Sequence, residues 1–304
     1  MDSRIITDTI TQQEWLEPVS EQMQAAITKT FEAAGPAGKT AEDFLNGVWF
    51  GHPLHSAIVT VPVGAWSTAA VLDVLEAGGK TELGPGADAA IAIGLVGAVA
   101  AAATGAAQWH SLKDKTVRHV GATHALLNSA SVVLFGASLL ARRGGNRTAG
   151  RALGWAGLGV NLAAAWLGGS LSYDSKVGVD HAPRGKELPS DDFVPVLADT
   201  ALPENQLMRA EAQNVPIVLL RRGETIHALA ATCAHFGGPL DEGQLEEGPH
   251  GEGPCVRCPW HGSCFSFADG QIVDGPSNYP QPLFETRVRS GQIEVRASSL
   301  PQNA

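Results

Sequence analysis

Two short segments concentrate the chemistry of this 304-residue chain: CAHFGGPL, starting at Cys233, and CPWHGS, starting at Cys258. Together they read CxH followed by CxxH, so each segment offers one thiolate and one imidazole. Ligands of these types can hold zinc or an iron–sulfur cluster. Zinc fingers usually present a cysteine pair and then a histidine pair. The alternating order here suits a binuclear cluster, with Cys233 and Cys258 on one iron and His235 and His261 on the other. Two further cysteines remain, Cys255 and Cys264. Cys255 forms a CxxC with Cys258 and could be a substitute ligand or redox partner, but a spare buried thiol is the commoner explanation. Four cysteines in so long a chain are too few for a disulfide scaffold, and unpaired thiols fit a reducing compartment.

The elements that must position these ligands are short alternating segments, VPIVLLRR (215–222), ETIHALAA (224–231), FETRVRS (284–290) and QIEVRA (292–297), separated by Gly, Pro, Asn and Asp. That pattern predicts a small antiparallel β domain. CxHxGxxL together with CPWHGSxF resembles the Rieske [2Fe–2S] domain, in its ferredoxin-like branch. The likeness runs over about 185–298, including DDFVPVLADTALPE, GPSNYPQPL and RVRSGQIEVR. It implies a [2Fe–2S] cluster held by Cys233, His235, Cys258 and His261, with Trp260, Ser263 and Phe265 around it. Three departures from the family stand out. The stretch between His235 and Cys258 is 22 residues long, and its insert EEGPHGEGP is expected to be a flexible surface loop. The disulfide that staples the two loops in quinol-oxidising relatives is impossible, because Gly238 and Trp260 stand at its positions. Ser263 keeps one donor to the cluster sulfurs, but Phe265 replaces the tyrosine that supplies the other, which implies a lowered potential.

Upstream, the chain is built differently. Four stretches lack Asp, Glu, Lys and Arg: 44–72, 89–112, 119–141 and 152–173, each at least 22 residues long. A bilayer core requires about 20 apolar residues as helix, and these are rich in Ala, Gly, Leu and Val and apolar all round rather than striped. Four transmembrane helices follow, with small-residue runs such as LVGAVAAAATGAA (95–107) allowing close approach. Short polar breaks make consecutive helices antiparallel, so His52, His55, His110, His119, His124 and His181 fall towards one side, as do both termini. GHPLHSAIVTVPVGAW (51–66), Asp73, HALLN (124–128) and GGSLSYDSKVGVD (168–180) resemble a family of predicted four-helix membrane proteins of unknown function, over about 45–182. His52, His55 and His124 could bind a b-type haem, or line a quinone or proton site, since intramembrane polar groups are usually functional. The plainer alternative is interfacial histidines bonded to backbone or water, with Asp73 capping a helix end.

The overall expectation is an α+β chain in two parts: a soluble amphipathic segment at 1–43, a four-helix transmembrane domain at 44–182, an all-β sandwich with cluster-binding loops at 185–298, and a tail at 299–304. Residues 1–43 and 174–304 are both acidic by count, so the formal charge of −10 belongs to the water-facing ends. With no basic block there, a nucleic-acid partner is disfavoured and a basic redox protein or reductase favoured. The N-terminus, MDSRIITDTITQQEWLEPV, has no apolar core of a secretory signal. Loop charges leave orientation open, and the thiols favour a cytoplasmic cluster domain in the cell membrane. The function expected is one-electron transfer between a redox partner and a membrane-associated donor or acceptor, a quinone being one option. The alternatives are a ferredoxin-like component of an oxygenase system, or a redox sensor. A stand-alone oxygenase needs a further domain carrying two His and a carboxylate, and none is expected after the cluster domain.

Overall fold

The computed structural model describes residues 3–189, 192–248 and 253–298. It divides into two compact units, Met1–Gly38 with Pro53–Val177, and Lys39–His52 with Gly178–Ala304.

The first unit is helical. It contains α1 (Ser3–Thr11), α2 (Leu16–Ala33), the start of α3 (Gly35–Asn46), α4 (Leu54–Ile58), α5 (Thr60–Ala77), α6 (Gly84–Trp109), α7 (Lys115–Arg143) and α8 (Arg147–Gly169). The uncharged run 44–72 does not become one helix. Gly47 and Gly51 take left-handed φ values of 85° and 71°, and Pro53 follows, so the spanning stretch begins at Leu54 and runs past Asp73 to Ala77. Asp114 and Asn146 cap α7 and α8 by accepting the Val117 and Ala149 N–H groups, each at 3.0 Å.

Three stretches are long and apolar enough to cross a membrane by length and composition: Leu54–Ala77, Thr81–Trp109 and Lys115–Arg143. The fourth, α8, forms as expected but carries Arg147, Arg151 and Asn161 and falls short of that standard. The outer faces of all four long helices are nonetheless apolar, with Val74, Val96, Leu140 and Leu162 exposed, Val96 at 73%. A soluble bundle would turn a polar stripe outward. Inside, glycines act as sockets: a Cβ on Gly94 would lie 2.2 Å from the Trp66 indole nitrogen, and Trp66 in turn stacks on Phe135 at 4.2 Å.

Asp73 caps no helix. It forms a bidentate pair with Arg142, at 2.6 and 2.5 Å, with Arg142 fully buried. Asp88, Arg147 and Glu76 extend the pair into a network joining α5, α6, α7 and α8. Charges at such depth are costly unless paired, and here each acid has an arginine.

The second unit holds the rest of α3 and two antiparallel sheets. Its strands are β1 (Val194–Ala198), β2 (Met208–Ala212), β3 (Val215–Arg222), β4 (Thr225–Ala230), β5 (Gln244–Glu247), β6 (Pro254–Arg257), β7 (Cys264–Ser266), β8 (Ile272–Asp274), β9 (Leu283–Arg289) and β10 (Gln292–Ala297). A six-stranded sheet has the order β1-β10-β9-β4-β3-β2, and a four-stranded sheet runs β5-β6-β7-β8. β3 is buried on both faces, which explains its continuous apolar run. Val218 and Leu220 join a core with Leu229, Cys233, Cys258 and Phe265, while Ile217 and Leu219 join another with Ile226, Phe284 and Ile293. The two ends of the insert, Glu246 with Glu247 and Pro254, belong to β5 and β6, where Glu246 lies opposite Cys255. The tip of the insert, 249–252, and the tail at 299–304 lie outside the described residues.

Candidate metal centre

The CxH loop leaves the end of β4, and the CxxH loop connects β6 to β7. The two loops share one backbone design. The Cys233 N–H donates to Gly238 O at 2.8 Å and its carbonyl accepts from Gly237 N at 2.9 Å. The Cys258 N–H likewise donates to Ser263 O at 2.8 Å, and its carbonyl accepts from Gly262 N at 3.1 Å. The closing glycines take φ of 77° and 78°, a left-handed turn that a side chain would strain. Each cysteine N–H and C=O is thus satisfied within its own loop, leaving the thiol and imidazole to project from a rigid turn.

The side chains converge. The Cys233 and Cys258 thiols are within hydrogen-bonding reach, and both are buried. The contact with Cys233 is the main cause that lowers the Cys258 thiol to about 7, helped by backbone N–H groups of Trp260 and His261, while Cys233 is raised. The His235 and His261 rings lie 5.0 Å apart at 83°. Burial, and then the neighbouring His261, push His235 down to about 3, so its imidazole is neutral and its lone pair available. His235 Nδ1 is buried and has no hydrogen-bond partner among the described residues. An unpartnered ring nitrogen and a pair of buried thiols are donors of the kind a metal centre takes. Gly238 completes the cradle, because a Cβ there would stand 2.7 Å from Cys258 Sγ and 3.1 Å from the Trp260 ring. These residues fit a [2Fe–2S] cluster.

Around them, Ser263 and Phe265 are fully buried, and Trp260 is half exposed with its ring edge-on to His261 at 6.3 Å. Ser263 Oγ accepts the Ser277 N–H at 3.1 Å, which orients the hydroxyl. Two supporting residues carry no sequence signal of their own. Gln281, wholly buried, accepts from Ala234 N at 3.1 Å and donates to Ala230 O and Thr232 O at 2.7 and 2.6 Å, clamping the first loop. Arg257 donates to Gly262 O at 2.6 Å and forks between Glu246 and Asp274, which hold its guanidinium firmly charged and brace the second loop. Only the setting of Gln281 in the GPSNYPQPL stretch hinted at a role.

Cys255 and Cys264 face each other, Sγ to Sγ at 2.7 Å, both buried. Burial raises both thiols, so they behave as inert protonated groups. Of the membrane histidines, His52 belongs to the second unit, where it is exposed and edge-on to Tyr279 at 6.2 Å. His55 and His124 meet in the first unit, 6.4 Å between ring centres. His110 and His119 are taken up by the N-terminal helices: Thr28 Oγ1 lies 3.0 Å from His110 Nδ1, and His119 Nε2 meets Glu17 Oε2 at 2.7 Å.

Comparison with known proteins gives two family matches. Residues 192–287 match the Rieske [2Fe-2S] domain, and residues 51–181 match a predicted membrane protein family, DUF2231. Ferredoxin CarAc of Metapseudomonas resinovorans is 31% identical over 80 residues, which cover 26% of this chain and 69% of that protein. Apoptosis-inducing factor 3 of Mus musculus is 27% identical over 146 residues, 45% of this chain, and the chain spans 23% of that relative's length. Among solved structures, the ferredoxin of carbazole 1,9a-dioxygenase from Nocardioides aromaticivorans IC177 is covered in full by 36% of this chain, at 20% identity and a TM-score of 0.32.

Proposed function

The chain belongs to the Rieske [2Fe–2S] family, and we propose that it is a membrane-anchored one-electron carrier working between a redox partner and a membrane-associated donor or acceptor. When bound, the cluster supplies a one-electron couple. The chain's own residues set its conditions. Cys233 and Cys258 would hold one iron as thiolates, His235 and His261 the other as neutral imidazoles. Gln281 clamps the first loop and Arg257 braces the second. Val256, Phe265 and Phe267 pack a dry floor of buried side chains below. Trp260, half exposed beside His261, offers an aromatic surface on which a partner can dock. The acidic water-facing ends favour a basic partner, and quinone is one candidate on the membrane side.

The observation that carries this reading is the pair of matching loops, with Cys233 against Cys258, the His235 and His261 rings 5.0 Å apart, and His235 Nδ1 buried without a partner among the described residues. Electron paramagnetic resonance of the reduced, detergent-solubilised protein is the test. A Rieske-type signal that disappears in Cys258→Ala and His235→Ala supports the site, and a preparation containing zinc but no iron or sulfide overturns it. The membrane setting is supported by the apolar outer faces of the long helices, and the cytoplasmic side by the two thiols left over from the cluster, Cys255 and Cys264. A second reading, a ferredoxin component of an oxygenase system, is favoured by the likeness to a ferredoxin subunit of anthranilate 1,2-dioxygenase from Burkholderia cepacia, 31% identical over 80 residues.

A further inference from the structure

We propose that the helical unit binds a b-type haem between His55 of α4 and His124 of α7, a second one-electron centre that does not depend on the cluster reading. The two rings come from helices far apart in sequence and lie 6.4 Å centre to centre at 81°. Two imidazoles that share one metal at about 2 Å each place their ring centres on the order of 6 Å apart. The observed separation meets that requirement.

The ring orientations support it further. His55 Nδ1 is 2.9 Å from Ala101 O, and His124 Nδ1 is 2.8 Å from Ala164 O. A carbonyl can only accept, so both Nδ1 atoms carry the proton and both Nε2 atoms keep a lone pair. Histidine ligands to metals show this same arrangement, one nitrogen tethered to a backbone carbonyl and the other left for the metal. The neighbouring helices also make room for these rings. A Cβ on Gly105 would stand 2.9 Å from His55 Cε1, and one on Gly168 would stand 3.1 Å from His124 Cε1.

The surroundings contain an unmet polar group. Asn128, one turn beyond His124, places its Nδ2 3.1 Å from His124 Nε2 and 3.0 Å from His124 O, so without iron it caps the ligand lone pair. Asn161 donates to Asn128 Oδ1 at 3.3 Å, is 4% exposed, and its own Oδ1 has no partner among the described residues. Leaving an amide oxygen unsatisfied among apolar helices is costly. Coordination releases Asn128 Nδ2 from His124 and lets this amide pair rearrange. The iron would cycle between ferric and ferrous by gain and loss of one electron.

The test is haem content of the full chain, expressed with haem supply and purified in detergent. About one haem per chain is expected, with the sharp reduced α band of a low-spin iron after dithionite and a low-spin ferric paramagnetic signal. His55→Ala and His124→Ala should each lose the haem while the Rieske signal of the same sample persists, which separates haem loss from misfolding. His52→Ala should keep it. Should an alanine variant lose both signals, His55→Met and His124→Met keep a ligand in place and should give a shifted band and potential. The proposal is overturned if the wild type takes up no haem after reconstitution, or if bound haem is unchanged in both His55 and His124 variants.

Discussion

Ser263 and Gln281 show how single side chains tune and hold the centre. Ser263 Oγ accepts from Ser277 N, so its hydroxyl proton is free to point at a cluster sulfur. Phe265 is buried and has no hydroxyl to donate. Ser263→Ala should therefore lower the midpoint potential and Phe265→Tyr raise it, each on the order of tens of millivolts. Redox titration followed by paramagnetic resonance checks both, and equal potentials in all three proteins would remove hydroxyl donation as the tuning term. Gln281→Leu deletes three hydrogen bonds and leaves the buried Ala234 N–H without an acceptor. A loss of about 2–3 kcal/mol in the stability of the β unit is expected, measured by hydrogen exchange of its strand amides in urea, together with a lower iron content.

Among the helices, two ionic contacts deserve opposite treatment. Arg142 and Asp73 are fully desolvated, so Arg142→Met alone strands a buried carboxylate and should cost about 3–5 kcal/mol, whereas Asp73→Leu combined with Arg142→Met should recover most of it. Thermal unfolding in detergent micelles distinguishes the two. At the surface, Glu17 of α2 is bound by His119 and Arg118 of α7. The hydrogen bond from His119, and then that from Arg118, hold its carboxyl below the ordinary 4.5. With the folded value depressed, the contribution is complete above 4.5 and is lost as pH falls through the lower folded value. Hydrogen exchange of the α2 amides should accelerate in that acid window and become less pH-dependent in Glu17→Gln. The sequence supplied the helices through their uncharged runs, but the broken start of the first run was hidden, because Gly47, Gly51 and Pro53 act through backbone geometry inside an otherwise apolar stretch.

On the scale of the whole chain, a mean hydropathy of +0.01 conceals two solvents. The helical unit turns valines and leucines outward while the β unit buries its own. The protein should stay with the membrane fraction through high salt and alkaline carbonate and be released by detergent, and release by salt alone would overturn the anchor. The cluster type, the β character and three of the four apolar spans were legible in the sequence, because ligand type, alternation and the lack of charge are local properties. The meetings of His55 with His124, Asp73 with Arg142, Cys255 with Cys264, and Gln281 with the first loop were decided only by the tertiary structure. Each joins residues from different elements, and whether such side chains touch depends on helix packing, strand register and the space left by glycines. A one-dimensional pattern does not carry those quantities.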